Sequence, residues 1–202
     1  MKRAFLLLVL LLGVQTVYAQ RGRDRFPQTE VSFSYSFYPR LAAESFLDAH
    51  YSAITGDSSP YSGNYQGNQI HCLGLLTGEV AFKLKSWFTV GVQLAGTSFW
   101  ADTVSGNGRV TGTAVYMLPN VRFTYIRSDV FKMYSGVGVG LGVLSGFSAE
   151  KSVYAGIGGA DIQPVFQAVP VGIQFGGDVY GLAELSLGTM NVGLRAGIGF
   201  RF

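Results

Sequence analysis

One short segment of the chain carries residue types that can support hydrolysis. Ser52 lies two positions after His50, and Glu44 and Asp48 precede them. A serine, a histidine and a carboxylate form a nucleophilic site when the histidine activates the hydroxyl and the acid orients the histidine. The sequence has no Gly-x-Ser-x-Gly motif and no His-Glu-x-x-His motif. We therefore predict no catalytic residues and no enzyme, with lipid or ester hydrolysis as an alternative.

The remaining reactive residues do not form a recognisable metal or cofactor motif. His71 and Cys72 are adjacent, and Cys72 is the single cysteine, so the chain cannot form an internal disulfide. Residues 156–161 (GIGGAD) are rich in glycine but do not follow a strand and open a helix, as a phosphate-binding loop does. We expect no metal site and no cofactor.

Charged residues placed among glycines are a different kind of candidate. Residues 191–202 (NVGLRAGIGFRF) alternate strictly, with Arg195 and Arg201 on the same face as three glycines. The other face is apolar and ends in Phe200 and Phe202. A face of glycine and arginine indicates a narrow wet interior, and an apolar face that ends in aromatic residues indicates a lipid boundary.

Inward charges on neighbouring strands fall opposite defined partners if each hairpin has its shortest turn. This register places Glu184 opposite Arg195 and Glu79 opposite Gln93. It also places Arg122 opposite a glycine, Gly136. The predicted polar network in the lumen is Glu79, Lys83, Arg122, Glu184 and Arg195, with Tyr134 and Arg201 beside it. Because buried charges persist when they are paired, we interpret the network as charge-balanced packing, with an ion gate at Glu184 and Arg195 as the alternative.

Eight segments have the two-residue period of strands that position these side chains. They are residues 30–38, 70–84, 87–99, 110–126, 131–144, 163–175, 179–187 and 191–202. Residues 131–144 place four valines and leucines opposite a ladder of alternate glycines. Residues 163–175 contain Pro164 and Pro170, and we predict that their apolar side chains Val165, Val169, Val171, Ile173 and Phe175 all face outward.

The connections alternate between long and short, as in an up-and-down barrel inserted with one orientation. Long connections cover residues 39–69 and 145–162, and a medium one covers residues 100–109. Short connections lie near residues 86, 129, 177 and 189, so the alternation holds up to the last of them. Aromatic residues are predicted to form girdles at both ends. Those at the short-turn ends are Trp87, Phe88, Tyr125, Phe131, Phe200 and Phe202, and those at the long-loop ends are Tyr38, Phe99 and Trp100.

The first 19 residues have the pattern of a cleavable signal peptide. Lys2 and Arg3 precede an apolar stretch at residues 4–14, and residues 17–19 form a small-x-small cleavage site. The domain prediction is a signal peptide at 1–19, a periplasmic leader at 20–29 and a barrel domain at 30–202. Removing Lys2 and Arg3 leaves 13 basic residues against 12 acidic ones. This near-neutral charge predicts no nucleic-acid partner.

Three stretches resemble the small outer-membrane β-barrel domain proteins of Gram-negative bacteria, the broad OmpA/OmpX-like class. They are residues 78–94 (GEVAFKLKSWFTVGVQL), 118–143 (LPNVRFTYIRSDVFKMYSGVGVGLGV) and 184–202 (ELSLGTMNVGLRAGIGFRF). The resemblance implies that Ile198, Phe200 and Phe202 form a signal for the outer-membrane assembly machinery. It also implies a monomeric barrel with exposed loops.

The predicted fold is therefore all-β: an eight-stranded antiparallel up-and-down transmembrane β-barrel in the bacterial outer membrane. The expected role is structural or in surface interaction, with outer-membrane lipid around the barrel and an extracellular ligand on the loop at residues 39–69. The alternatives are a narrow porin-like channel, a lipid-modifying enzyme and a soluble lipocalin-type barrel. In the last, the apolar faces would point inward.

Overall fold

A computed structural model describes residues 28–45, 71–102, 109–146 and 160–202. Its strand segments are β1 (Gln28–Ser36), β2 (His71–Cys72), β3 (Leu75–Lys85), β4 (Phe88–Asp102), β5 (Arg109–Arg127), β6 (Phe131–Ser145), β7 (Ala160–Gly176), β8 (Val179–Gly188) and β9 (Gly193–Arg201). Residues 40–45 are helical. No helix among the described residues is long and apolar enough to cross a membrane.

The strands form a closed antiparallel barrel. From β3 to β9, each strand pairs with the next along the chain, and β1 pairs with both β3 and β9. The short β2 pairs with β4 beyond the end of β3, so β2 and β3 act as one interrupted strand. The result is eight strands with no free edge, which confirms the predicted fold class.

The interruption between β2 and β3 depends on a glycine. Gly74 has a φ of +77°, a left-handed conformation that residues with a Cβ atom rarely adopt. The ring of Tyr35 occupies the space that a side chain at Gly74 would need. The Tyr35 hydroxyl donates a hydrogen bond to the Leu73 carbonyl at 3.0 Å. This contact ties β1 to the break in the neighbouring strand.

The two ends of the barrel differ. At one end, which we call the turn end, residues 86–87, 128–130 and 177–178 join β3 to β4, β5 to β6 and β7 to β8. At the opposite end, the loop end, residues 37–70, 103–108 and 146–159 connect the strands. The connection at 189–192 is also at the loop end but is short. The predicted alternation of connection lengths up to that point is confirmed.

The apolar faces of the strands point away from the barrel axis. Val139 on β6 is 64% exposed and Leu194 on β9 is 60% exposed, whereas their inward-facing neighbours are Gly138 and Arg195. The large exposed hydrophobic side chains extend over all the long strands. The prediction of an apolar exterior is confirmed, and the lipocalin-type alternative, which needs the apolar faces inside, is wrong.

Strand β7 corrects one predicted face. Val165 and Val169 are buried inside the barrel, while Val171 and Phe175 are exposed. The register with β8 shifts between Ala168 and Val171, which marks a β-bulge at Pro170. Proline lacks the N–H that a regular ladder needs, and the extra residue reverses the alternation. Strict period-two counting through this proline therefore gave the wrong face for Val165 and Val169.

The predicted aromatic girdles are also corrected at one position. At the turn end, Trp87 stacks on Phe123 with ring centroids 6.1 Å apart, and Phe88 packs against both. At the loop end, Trp100 stacks on His71 at 5.7 Å. Phe99, however, is buried inside the barrel. Since Phe99 precedes the outward Trp100, the alternation of β4 turns it inward.

Candidate functional site in the barrel lumen

Side chains fill the lumen in three layers. An apolar layer lies at the loop end, a ring of hydrogen-bonded charges lies in the middle, and a cation-rich layer lies at the turn end. The middle layer, which we call the lumen ring, consists of Glu79, Gln93, Arg122, Tyr134, Glu184 and Arg195, from six different strands. Each member points inward because it occupies the polar face of an alternating strand.

One half of the lumen ring is centred on Glu184. Arg195 lies directly opposite it in the β8–β9 register, as the sequence predicts. The Arg195 guanidinium donates to Glu184 Oε2 through Nε and lies against the same oxygen with Nη2. The Tyr134 hydroxyl donates to Glu184 Oε1 at 2.5 Å. With Glu184 2% and Arg195 1% exposed, this is a buried, charge-assisted pair.

The other half of the ring is centred on Glu79. Arg122 Nη2 lies 2.9 Å from Glu79 Oε1. Gln93 Nε2 donates to Glu79 Oε2 at 3.1 Å, and Asn120 Nδ2 donates to Oε1 at 3.2 Å. The Glu79–Gln93 pairing confirms the predicted register of the β3–β4 hairpin. The Glu79 carboxylate therefore has partners on β4 and on β5.

Two contacts join these halves into a closed circuit. Arg195 Nη1 donates to Gln93 Oε1 at 3.2 Å, which links β9 to β4 across the lumen. Arg122 Cζ lies 5.4 Å from the centroid of the Tyr134 ring, within cation–π distance. Because every member contacts two others, moving one side chain disturbs the contacts of the whole ring.

Glycines provide the room for the large members of the ring. Gly136 faces Arg122 in the confirmed β5–β6 register, and a Cβ there would lie 3.2 Å from Arg122 Cγ. A Cβ at Gly172 would meet the ring of Tyr134. Gly136, which was predicted to face Arg122, and Gly172, which was not predicted, are therefore packing positions.

The loop-end layer is apolar and lies between the lumen ring and the loop end. Its buried residues are Ala42, Leu75, Ala95, Phe99, Ala101, Ala114, Tyr116, Leu118, Leu144, Val165 and Met190. Residues 40–45 reach this layer because the Arg40 and Leu41 amides donate to the Met190 and Thr189 carbonyls at 3.1 and 2.9 Å. The buried Ala42 then closes part of the lumen from the loop end.

The β8–β9 connection folds inward beside this layer. Asn191 is fully buried, and its backbone N–H donates to Gln167 Oε1 at 3.1 Å. Gln167 Nε2 donates back to the Asn191 carbonyl at 3.2 Å, and Asn191 Nδ2 donates to Ser36 Oγ at 3.0 Å. These bonds hold the connection between β7 and β1.

The turn-end layer is centred on Glu30. Arg122 Nη1, Lys132 Nζ and Arg201 Nε lie 3.6, 3.9 and 3.1 Å from its carboxylate oxygens. Arg201 also donates to Gln174 Oε1 at 2.7 Å and to the Gly176 and Gly177 carbonyls. The Glu30 carboxylate therefore forms ion pairs with three basic side chains in this layer.

The five residues predicted for the network all lie in the lumen, but they do not form one cluster. Glu79, Arg122, Glu184 and Arg195 belong to the lumen ring, whereas Lys83 lies in the turn-end layer. The sequence reasoning did not include Glu30 or Lys132. The two-residue alternation could have placed both residues inside the barrel. Glu30 lies on the same face of β1 as the serines, and Lys132 is two positions from the inward Tyr134.

The buried ionisable side chains of the lumen include more basic than acidic residues in the described ranges. The buried charged side chains of the described ranges are five cations (Lys83, Arg122, Lys132, Arg195 and Arg201) and three carboxylates (Glu30, Glu79 and Glu184). Two of these basic residues, Lys83 and Lys132, lie near the turn end on β3 and β6.

The candidate hydrolytic residues are mostly outside the described residues. His50, Ser52 and Asp48 lie there, and so do residues 156–159 of the glycine-rich segment. Glu44 is exposed and pairs with Arg40 at 2.9 Å. Over the described ranges, no three His, Cys, Asp or Glu side chains are grouped as a metal site would require. The predicted signal peptide at 1–19 and most of the leader at 20–29 also lie outside them.

The C-terminal aromatic pattern lies on the outer side of the barrel. Ile198, Phe200 and Phe202 are exposed, with Arg201 and Gly199 inward between them. β9 closes the barrel through its ladder to β1, and Phe202 exchanges backbone hydrogen bonds with Thr29.

Two solved structures are similar to the chain. The N-terminal β-barrel domain of Pseudomonas aeruginosa OprF is 13% identical, with 87% of this chain and 98% of that chain covered and a TM-score of 0.44. The Yersinia pestis outer membrane protein Ail is 15% identical, with 87% and 99% covered and a TM-score of 0.46. No family model and no curated protein matches. The barrel architecture therefore rests on the strand pairings of this chain.

Proposed function

We propose that this chain is a small integral outer-membrane β-barrel with a closed lumen and a structural or surface-interaction role. The observation that carries the proposal is the arrangement of its faces. Large apolar side chains cover the exterior, and charged side chains pair with one another inside. This is the arrangement of a transmembrane barrel, whose outer surface meets hydrocarbon.

The exterior is too apolar for a surface that faces water. Phe33 and Leu76 on neighbouring strands are 59% and 55% exposed, and Leu141 and Phe175 are exposed on β6 and β7. Soluble monomers rarely expose one continuous apolar patch larger than about 600 Å². A closed barrel needs no partner strand, so its exterior is free to be covered by lipid.

The closed lumen favours a structural or binding role over transport. An ion would have to pass both the lumen ring and the apolar layer around Phe99, Tyr116 and Leu118. An eight-stranded barrel has an interior that side chains can fill. The connections at the loop end are then the part of the protein that would contact an extracellular ligand.

The orientation follows from the connections. Short turns face the periplasm and longer loops face the cell exterior in barrels of this kind. The loop end would then present residues 39–69 to an extracellular ligand. The assembly machinery would recognise Ile198, Phe200 and Phe202 during insertion, and the barrel would remain a monomer surrounded by outer-membrane lipid.

Site-directed spin labels test which face meets lipid. In a Cys72→Ser background, labels at Val139→Cys and Leu194→Cys should be accessible to lipid-dissolved oxygen and shielded from a water-soluble nickel reagent. A label at Thr97→Cys, a buried position of the inner face, is the matched control and should show low oxygen accessibility. Nickel accessibility at Val139 and Leu194, or release of the protein by a carbonate wash, would reject the membrane barrel.

Deletion of residues 51–68 tests the surface role. Expressing cells should lose adherence to a protein-coated surface, while the purified variant still shows the heat-dependent gel shift of a folded barrel. Cells with the empty vector give the background adherence, and cells with the full-length protein give the adherence that the deletion should abolish. If full-length protein gives no adherence above the vector, the surface-interaction role is wrong. The structural role is then tested separately by the detergent sensitivity of a deletion strain.

A further inference from the structure

We propose that Glu30 is the positioning residue that determines the register in which β1 closes the barrel against β9. This inference concerns the closure of the barrel and does not depend on the surface role of the loops. It rests on three observations: the long separation of β1 from both of its neighbours along the chain, a sequence in β1 that repeats every two residues, and the ion pairs of the Glu30 carboxylate.

The first observation is that β1 is joined to neither of its neighbours by a short turn. The turns at residues 86–87, 128–130 and 177–178 fix the registers of three hairpins, since the length of a turn decides which residues pair. β1 pairs with β3 and β9. Residues 37–74 separate β1 from β3, and β9 is at the other end of the chain. Side-chain contacts must therefore fix the position of β1 between these two strands.

The second observation is the repeat within β1. Residues 32–37 read SFSYSF, so a shift of two residues replaces serine with serine on the inner face and one aromatic residue with another on the outer face. A shift of one residue would turn the aromatic side chains inward, so the alternation excludes it. The alternation does not exclude a shift of two residues. Glu30 is the inward position at which that shift changes a charge, because Gln28 would replace it.

The third observation is the set of contacts that the Glu30 carboxylate makes. Glu30 is opposite Arg201 in the β1–β9 register, and Arg201 Nε donates to Glu30 Oε1 at 3.1 Å. Arg122 Nη1 and Lys132 Nζ lie 3.6 and 3.9 Å from the same carboxylate. A strand rises about 3.3 Å per residue, so a shift of two residues would move the carboxylate by about 7 Å. That movement would leave three buried basic side chains without the Glu30 carboxylate, which is costly.

A shift of β1 toward the loop end would also bring two carboxylates together. Ser32 is opposite Glu79 in the native register of β1 and β3, and both residues are buried. Moving β1 by two residues toward the loop end would put Glu30 in the place of Ser32, directly across from Glu79. Like charges that are directly opposite each other in a sheet are destabilising. Attraction to Arg201 therefore favours the native register, and repulsion from Glu79 opposes the shifted one.

Tyr35 makes a weaker contribution to the same register on the outer face. Its hydroxyl donates to the Leu73 carbonyl at 3.0 Å, and its ring occupies the space beside Gly74. The same shift would put Phe33 in this place, which keeps a ring and loses the hydroxyl. A hydrogen bond between neutral groups is about half as strong as a charge-assisted one. We therefore expect Tyr35→Phe to leave the register unchanged.

Disulfide formation between two outward positions measures the register. The full chain, in a Cys72→Ser background, is refolded from urea into detergent micelles, so no assembly machinery is needed. Phe33 is opposite Ile198, so the native pair, Phe33→Cys with Ile198→Cys, should form a disulfide in the native register. The shifted pair, Val31→Cys with Ile198→Cys, is diagonal in that register, with Cα atoms about 7–8 Å apart, which is beyond the usual reach of a disulfide. The shifted pair should therefore form a disulfide only after a shift of two residues.

Removing the carboxylate should release the register. We expect Glu30→Gln to raise the disulfide yield of the shifted pair at least about fivefold, because the attraction to the basic side chains and the repulsion from Glu79 are both weakened. Only the band of folded protein, identified by its heat-dependent gel shift, is counted. Glu44→Gln removes an exposed carboxylate and is the matched control, so it should leave the yields of both pairs unchanged.

Arg201→Gln repeats the test from the other side of the ion pair and keeps it decisive if Glu30→Gln does not fold. It should raise the yield of the shifted pair by a smaller factor, because Arg122 and Lys132 still contact Glu30 in that variant. A folded Glu30→Gln or Arg201→Gln protein that forms only the native pair would overturn the proposal. An equal rise in Glu44→Gln or Tyr35→Phe would also overturn it, because the register would then not depend on the Glu30 carboxylate.

Discussion

Individual side chains of the lumen ring depend on one another because each is charged or polar in a place with little water. Glu184 pairs with Arg195 and accepts a hydrogen bond from Tyr134. Gln93 hydrogen-bonds to both Glu79 and Arg195. Removing one partner of a buried pair leaves the other charge without compensation. The stability of the barrel should therefore be more sensitive to these positions than to exposed ion pairs.

We expect Glu184→Gln to lower the free energy of unfolding by about 3–5 kcal/mol, because the Arg195 guanidinium would remain buried without its carboxylate. Urea titration of the detergent-solubilised protein, followed by tryptophan fluorescence, measures the change. Glu44→Gln is the matched control, since the exposed Glu44–Arg40 pair should contribute little. Equal losses in the two variants would show that the ring does not stabilise the barrel.

A glycine of the ladder gives a second residue-level prediction. A Cβ at Gly140 would meet the Met117 carbonyl oxygen and lie 2.8 Å from Leu118 Cα, and both are backbone atoms that cannot move aside alone. Gly140→Ala should cost about 1–3 kcal/mol. At Gly96 the nearest heavy atom would be Ala114 O at 3.9 Å, so Gly96→Ala is the control and should be tolerated. The same urea titration compares them, and an unaffected Gly140→Ala would contradict the packing.

The strands are regular except where the sequence forces a change of register. The bulge at Pro170 turns Val169 inward and Val171 outward, although two positions normally share a face. The Pro170 carbonyl accepts a hydrogen bond from Ser135 Oγ at 2.6 Å, which fixes the bulge against β6. Because of this bulge, the Gln167 side chain faces the lumen, where it accepts a hydrogen bond from the Asn191 backbone N–H.

Spin labels at Val169 and Val171 test the bulge in the Cys72→Ser background. The label at Val169 should be shielded from lipid-dissolved oxygen because Val169 is 7% exposed, and the label at Val171 should be accessible because Val171 is 41% exposed. Val137 and Val139 on the regular β6 form the control pair, and both should be accessible. Equal accessibility at Val169 and Val171 would mean that β7 has no bulge.

The barrel as a whole is closed by layers that act independently. The lumen ring blocks the middle with paired charges, and the apolar layer blocks the loop end with Phe99, Tyr116 and Leu118. Opening one layer leaves the other in place. We therefore expect that opening a single ion pair does not produce an ion path.

Conductance in a planar lipid bilayer tests this closure. We expect neither the wild type nor Glu184→Ala to show channel steps above the empty bilayer, because the apolar layer remains in the variant. A porin reconstituted in the same way is the positive control for insertion. Discrete steps in Glu184→Ala that are absent in the wild type would establish Glu184 and Arg195 as a gate and contradict the double closure.

Strict alternation in residues 191–202 was enough to predict the outward-facing side, because a strand sends successive side chains to opposite faces. Hairpins with short turns were enough to pair Glu184 with Arg195, Glu79 with Gln93 and Arg122 with Gly136, since a short turn fixes the register. These features are local along the chain, and the structure agrees with them.

Other features were decided by contacts between distant strands. The sequence alone determined the strands, the pairs within short hairpins and most of the faces, with Val165, Val169 and Phe99 as exceptions. The tertiary structure decided that Gln93 reaches Arg195 across the lumen and that three cations share Glu30. The physical reason is that barrel closure and the bulge at Pro170 set which inward side chains meet, and neither is encoded by the period of any one strand.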